Sequence, residues 1–206
     1  MSLSRAPFVY ASLLALAAAP VGLWLDQPTA LAAQGLGAEA RSVARFFSAL
    51  GDSAWILIPS GAVLALRRAG VLRTLPDLVL ARSRQLFWLV AGTGLLADLI
   101  KGVVARPRPK LYLREGFVEP RWFHWFDAAW ASMPSGHTVT AFTLAFIVAR
   151  WYPRWSVMAF AIAAGVAMAR VALGAHYPSD TLAGAALAVL CCAAVERRPG
   201  WSWPAR

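Results

Sequence analysis

Apolar residues run along this chain in long blocks. Six of them approach the roughly 20 residues a helix needs to cross a bilayer: Pro7–Leu25, Asp52–Leu66, Gln85–Val104, Thr138–Tyr152, Trp155–Leu173 and Thr181–Val195. The second and fourth are short in strict apolar count and need flanks such as Phe46–Leu50 or Ser135–His137 to reach across. Breakers fall between the blocks: Pro28, Pro76, the Arg106-Pro107-Arg108-Pro109 run, Pro153 and Pro178. Trp24, Trp88, Trp151, Trp155, Trp201 and Trp203 stand near block ends, where interfacial anchors belong. The pattern predicts an all-α polytopic membrane protein with six transmembrane helices in one bundle, a single domain over residues 1–206.

Composition removes the competing classes. Apolar residues make up 59% of the 206 and charged residues 15%, and mean hydropathy is +0.56. A soluble chain this small has no room to hide that much apolar surface, so a cytoplasmic globule, a disordered chain and a disulfide-stapled secreted module are excluded. The net charge of +10 does not point to nucleic acid, because no basic arm or helix face stands apart from the apolar blocks. Cys191 and Cys192 are adjacent inside the last block and read as packing residues. The first block has signal-peptide features, Arg5 ahead of it and Ala17-Ala18-Ala19 within it. Its apolar run continues through Val21–Leu25, long enough to span, so a retained helix is expected.

Charge sets the expected orientation. With the N-terminus inside, the cytoplasmic pieces carry 11 of the 20 basic residues, from Arg5, Arg67, Arg68, Arg73, Arg82 and Arg84 to Arg150, Arg154, Arg197, Arg198 and Arg206, against Asp77 and Glu196. The positive-inside rule then places both termini in the cytoplasm of a bacterial inner membrane. The cations left on the outer side cluster at Lys101–Lys110 and at Arg170.

Three stretches on that outer side carry candidate chemistry: Lys101-Gly-Val-Val-Ala-Arg-Pro-Arg108-Pro109, Pro134-Ser135-Gly136-His137, and Arg170-Val-Ala-Leu-Gly-Ala-His176-Tyr-Pro-Ser-Asp180. Lys101, Arg108 and Arg170 offer an ammonium and two guanidinium forks that suit a tetrahedral dianion. Pro134-Ser135-Gly136 opens a helix, so the backbone N–H groups of Gly136 and His137 make an anion site that glycine lets a ligand approach closely. His176 lies four residues before Asp180, close enough for the carboxylate to accept one ring N–H and leave the other nitrogen as a nucleophile. His137, at the helix entrance, is placed to protonate a leaving oxygen. Each stretch alone has a plainer reading, as snorkelling cations, a helix cap by Ser135 or a structural His–Asp bond. Their coincidence on one face does not.

In this order the residues resemble the type 2 phosphatidic acid phosphatase superfamily of membrane lipid phosphatases. Its signature is Lys, six residues and Arg-Pro; then Pro-Ser-Gly-His; then Ser-Arg, five residues, His, three residues and Asp. The likeness covers Lys101–Asp180 directly, with one departure: Ala169 stands where the family usually has Ser. The resemblance implies that His176 attacks phosphorus and forms a phosphohistidine, that Asp180 orients it, and that His137 protonates the leaving group before activating water. It implies that Lys101, Arg108, Ser135, Gly136 and Arg170 hold the phosphoryl oxygens, with no metal and no cofactor. The substrate expected is a membrane phospholipid or polyprenyl phosphate of phosphatidylglycerophosphate, phosphatidic acid or undecaprenyl diphosphate type. The alternatives are a lipid A phosphatase with the same chemistry and a transporter that binds anionic lipid without cleaving it. Asp98 is expected to pair with Lys101 on one helix face, and Arg121–Asp127 to lie as an amphipathic segment on the outer leaflet.

Overall fold

The computed structural model describes residues 5–116, 119 and 121–204. Its helices are α1 (Ala6–Trp24), α2 (Asp26–Ala32), α3 (Ala38–Leu50), α4 (Ala54–Arg68), α5 (Asp77–Val104), α6 (Pro109–Glu115), α7 (Gly136–Trp151), α8 (Ser156–Ala172) and α9 (Pro178–Glu196), and no strand occurs among the described residues. Each predicted block falls on a helix. Five stretches are long and apolar enough to cross a membrane: Ala6–Trp24, Ala38–Arg68, Asp77–Glu115, Pro153–Ala172 and Pro178–Glu196. The sixth, α7, has 16 residues and rises about 24 Å, short of a hydrocarbon core of roughly 30 Å.

That short helix is the centre of the molecule. α7 packs against α5, α8 and α9, while α1 lies along α9, α3 along α8 and α4 along α5. Apolar side chains gain little by leaving lipid for a helix interface, so close approach through small residues and a few hydrogen bonds must hold the helices together. Ala141 and Ala145 of α7 cluster with Ala163 and Val166 of α8, and Val139 clusters with Ala97 of α5 and Ala188 of α9. Thr93 and Thr143 pair their hydroxyls at 3.1 Å in the same interior. At one end of the bundle the C-terminal tail is tied down. Arg150 meets Glu196 at 2.6 Å, Trp203 donates to Glu196, and Gln85 links Trp151 to the Ser202 carbonyl. The opposite end gathers the three motif stretches.

Three expectations are refined. α5 starts at Asp77 rather than Gln85, because its first turns carry Asp77, Arg82 and Arg84 and do not look apolar; Trp88 therefore points outward from within a helix rather than marking its end. Residues 46–50 fall within the same apolar stretch as the second block, Ala38–Arg68, as expected, but they do not continue its helix. They end the separate helix α3, whose Phe47 packs over Gly165 of α8. The chain turns at Gly51–Ser53, and Asp52 accepts the Ala54 N–H at 2.9 Å to start α4. The 121–127 stretch takes an irregular conformation: Phe123 and Phe126 have positive φ, and Trp125 folds back onto Gly102 while Trp122, Phe123 and Phe126 are more exposed.

Gly51 is the closest point between α3, α7 and α8. A Cβ there would lie 2.6 Å from Val166 Cγ1 and 2.9 Å from the His137 carbonyl oxygen. Gly51→Ala is therefore expected to cost about 1–3 kcal/mol through overpacking. Gly92→Ala, where a Cβ meets nothing within 4 Å, should not destabilise the protein. Thermal unfolding of the two variants in the same detergent checks this; equal melting temperatures would overturn it.

Candidate active site

α5 ends just after Lys101, where Ala105 takes a left-handed conformation at φ 40°, and the Arg-Pro-Arg-Pro run leads into α6. Two backbone bonds pin that run, Arg108 N–H to the Ala129 carbonyl at 2.8 Å and Ser132 N–H to the Arg106 carbonyl at 3.1 Å. Lys101 pairs with Asp98 at 2.7 Å, the bland pairing expected for Asp98. A Cβ on Gly136 would lie 3.1 Å from Lys101 Nζ, so the ammonium sits against the first turn of α7, whose leading N–H groups have no partner within the helix.

Arg108 and Arg170 complete the positive end. Arg108 donates to the Ala131 carbonyl at 3.3 Å, and Arg170 donates to Ser48 Oγ of α3 at 2.7 Å. The Nε of each is buried without a partner, and among the described residues neither guanidinium makes an ion pair. They lie close enough to act on each other's charge. Two half-buried cations with spare donors and no ion-pair partner are chemically suited to take up an anion.

His176 follows the left-handed Gly174, which ends α8 (φ 61°), and is 3% exposed. Its Nδ1 lies 2.8 Å from the Ser132 carbonyl, which can only accept, so Nδ1 carries the proton and Nε2 keeps its lone pair. Here the expected His–Asp bond is corrected: Asp180 Oδ2 is 3.7 Å from Nδ1, too far for a direct hydrogen bond, and the acceptor is the Ser132 carbonyl. The carboxylate is held away by its own donors. Asp180 sits at the third position of α9 and takes the Tyr177 N–H at 2.9 Å in a capping box. Ser132 Oγ donates to it at 2.5 Å and Arg106 at 2.6 Å. Burial holds His176 below the ordinary imidazole value, against the pull of Asp180, so the ring is neutral at pH 7.

His137 stands in the first turn of α7, half-buried, with Lys101, Arg170 and Asp52 as its charged neighbours and the neutral His176 beside it. Ser135 differs from the expectation. It is fully buried, makes no side-chain cap, accepts from Thr138 Oγ1 at 3.0 Å, and gives its N–H to the Asp180 carbonyl. Its side chain is thus sealed behind Gly136. Ala169 is buried beside Arg170, and the hydroxyl that reaches Arg170 comes from Ser48 instead. His124 lies apart, against Asp127 and the edge of Trp130. Sequence reasoning missed Asp26, Ser48, Arg106 and Ser132. Arg106 carried a partial signal, a second Arg-Pro beside the first, but its spacing from Lys101 set it outside the signature and gave it no role. The other three carried none.

The sequence matches the PAP2 superfamily over residues 83–203, which include all three motif stretches. It is 37% identical over 164 residues to the lipid A 1-phosphatases of Rhizobium johnstonii and Rhizobium etli, covering 72% of this chain. The match spans 64% of the length of the first relative and 67% of the second. The fold is similar, at a TM-score of 0.59 and 22% identity, to the crystal structure of a transmembrane PAP2-type phosphatidylglycerolphosphate phosphatase from Bacillus subtilis, covering 93% of this chain and 92% of that one. The chain belongs to the PAP2 superfamily.

Proposed function

We propose that this protein is a membrane phosphatase that removes a phosphate from a lipid headgroup through a phosphohistidine on His176. The observation that carries this reading is a neutral, nearly sealed His176, its Nδ1 proton already engaged, facing two arginines that have donors to spare and no carboxylate partner. In the first step Nε2 attacks phosphorus as the bond to the lipid oxygen breaks, and His137 gives that oxygen a proton. In the second step His137 takes a proton from water, whose oxygen attacks phosphorus and releases phosphate and neutral His176. Asp180 and the Ser132 carbonyl steady the ring as it becomes positive. Lys101, Arg108, Arg170 and the N–H groups of Gly136 and His137 hold the phosphoryl oxygens. The sealed Ser135 supports Gly136 rather than touching phosphate. Each such donor is worth about 3–4 kcal/mol where charge develops.

Among substrates, the 37% identical relatives named lipid A 1-phosphatases favour the 1-phosphate of a lipid A-type glycolipid over a glycerophospholipid. An apolar groove of about 380 Å³ between α1, α5 and α9 supports a lipid in either case. Ile100 and Val104 flank Lys101 there, and Met133 and Pro134 precede Ser135, so an acyl chain in the groove leads its headgroup to the cations. We also propose that the site faces the periplasm, both termini lying in the cytoplasm and α7 serving as the sixth span. The basic count on the opposite end supports this.

Purified protein in EDTA is expected to release phosphate from at least one of lipid A, phosphatidylglycerophosphate, phosphatidic acid and undecaprenyl diphosphate. His176→Ala should lower that release by about 10³-fold or more. Turnover that survives in the variant would sink the phosphohistidine, and no release by the wild type from any of the four would favour the transporter. The acid limb of kcat/KM should lie below pH 6.5, because a depressed His176 stays unprotonated as pH falls past the ordinary imidazole value; a limb above 6.5 contradicts that. Reporter fusions ending at Arg73 and Glu115 should report cytoplasm and periplasm respectively, and the reverse pattern would invert the orientation.

A further inference from the structure

Arg106 lies two residues from Arg108 and does the opposite of it. Its Nη2 donates to Asp26 Oδ2 at 2.6 Å, and its Nη1 donates to Asp180 Oδ1 at 2.6 Å and to Ser179 Oγ at 2.7 Å. The guanidinium carbon rests 4.4 Å from the centre of the Tyr177 ring. Asp26 and Asp180 are 2% and 0% exposed, so two sealed carboxylates share one cation. Asp26 comes from the start of α2, outside all three motif stretches, and is itself fixed by the backbone N–H and the hydroxyl of Ser179. The planar fork gives each carboxylate its own nitrogen, whereas a lysine ammonium would have to serve both from one atom.

Resting on the phosphohistidine reading, we propose that Arg106 is a positioning residue: clamped by Asp26, it holds Asp180 in place so that the carboxylate orients and steadies His176 without touching it. The distance requires such a device. At 3.7 Å Asp180 acts on the ring through space rather than by a hydrogen bond, so its influence depends on where the carboxylate is held and on how much of its charge is already neutralised. Three donors hold it, and Arg106 is the charged one: the others are Ser132 Oγ and the Tyr177 N–H, both on Oδ2. Ser132 closes the circuit, because its hydroxyl holds Asp180 while its carbonyl takes the His176 proton. A shift of the carboxylate therefore moves the peptide that sets the angle of the nucleophile. The charged and titratable groups facing His176 itself are Asp180 from α9, Arg108 from the segment before α6, Arg170 from α8 and the imidazole of His137 from α7.

The test is a mutant cycle on whichever lipid of the four above the wild type hydrolyses fastest. Arg106→Ala is expected to lower kcat by about 10²-fold, with KM within about twofold. The acid limb of its kcat/KM profile should move to higher pH, because an Asp180 relieved of its cation stabilises the imidazolium more strongly. Asp26→Asn should move both readings the same way and less far. In an Asp180→Asn background, Arg106→Ala should add no further loss, since its effect runs through the carboxylate. Where the alanine variant does not fold, judged by its melting in detergent, Arg106→Lys serves in the same cycle with a smaller loss. A raised KM at unchanged kcat would make Arg106 a phosphate ligand, and full additivity with Asp180→Asn would make it merely structural; either overturns the proposal. His176→Ala separates the two levels: dead there but wild-type at Arg106→Ala rejects the positioning role alone, whereas live at His176→Ala rejects the phosphohistidine on which it rests.

Discussion

A carboxylate with no exposed surface has to be met by donors on every side, and Asp180 shows how many parts of a chain that takes. Left unpaired, such a group costs several kcal/mol and is protonated instead. Here the run after α5 supplies Arg106, the segment before α7 supplies Ser132, and α9 supplies the Tyr177 N–H. The backbone carbonyl of Asp180 accepts the Ser135 N–H, so the residue also sets where α7 begins. His176, Gly136 and His137 arrive at one place because the same buried charge gathers their segments. The second terminal nitrogen of Arg106 then meets Asp26, which brings the α1–α2 junction into the assembly.

Against this saturated cluster stands an unsaturated one. Arg108 and Arg170 keep nitrogens that no described residue accepts from, and they push on each other across the site. The fold carries that repulsion because the helices beneath are locked by close packing. Small residues bring α5, α8 and α9 onto α7, and Gly51 admits α3. α3 matters here for one hydroxyl, Ser48, which turns Arg170 toward its place. The result is a close-packed apolar frame with a positive end.

The likeness to the superfamily falls where this logic says it should. The match over residues 83–203 takes in α5, the Arg-Pro-Arg-Pro run, α7 and the loop to α9, which hold the gathered segments. α1 to α4 lie outside it, yet they provide Asp26, Ser48 and Asp52. Those helices also help to wall the apolar grooves, so differences among relatives have room to arise there.

Long apolar blocks were legible because lipid gives them no alternative to a helix; the six blocks found six helices, and the cysteines were packing residues. The eight residues that open α5, and the whole of α3, were not legible, since charged side chains interrupt their apolar runs. The motif residues His176, His137, Lys101, Arg108 and Arg170 could be named as candidates from residue type and spacing, and the fold brings their segments to one end of the bundle. Which of two arginines in one run is neutralised, that Ser135 turns inward, and that a Ser132 carbonyl and not Asp180 takes the His176 proton were decided by the tertiary structure. These are matters of which buried donor meets which buried acceptor, and partners 44 to 153 residues apart in the chain are found only once the helices have packed.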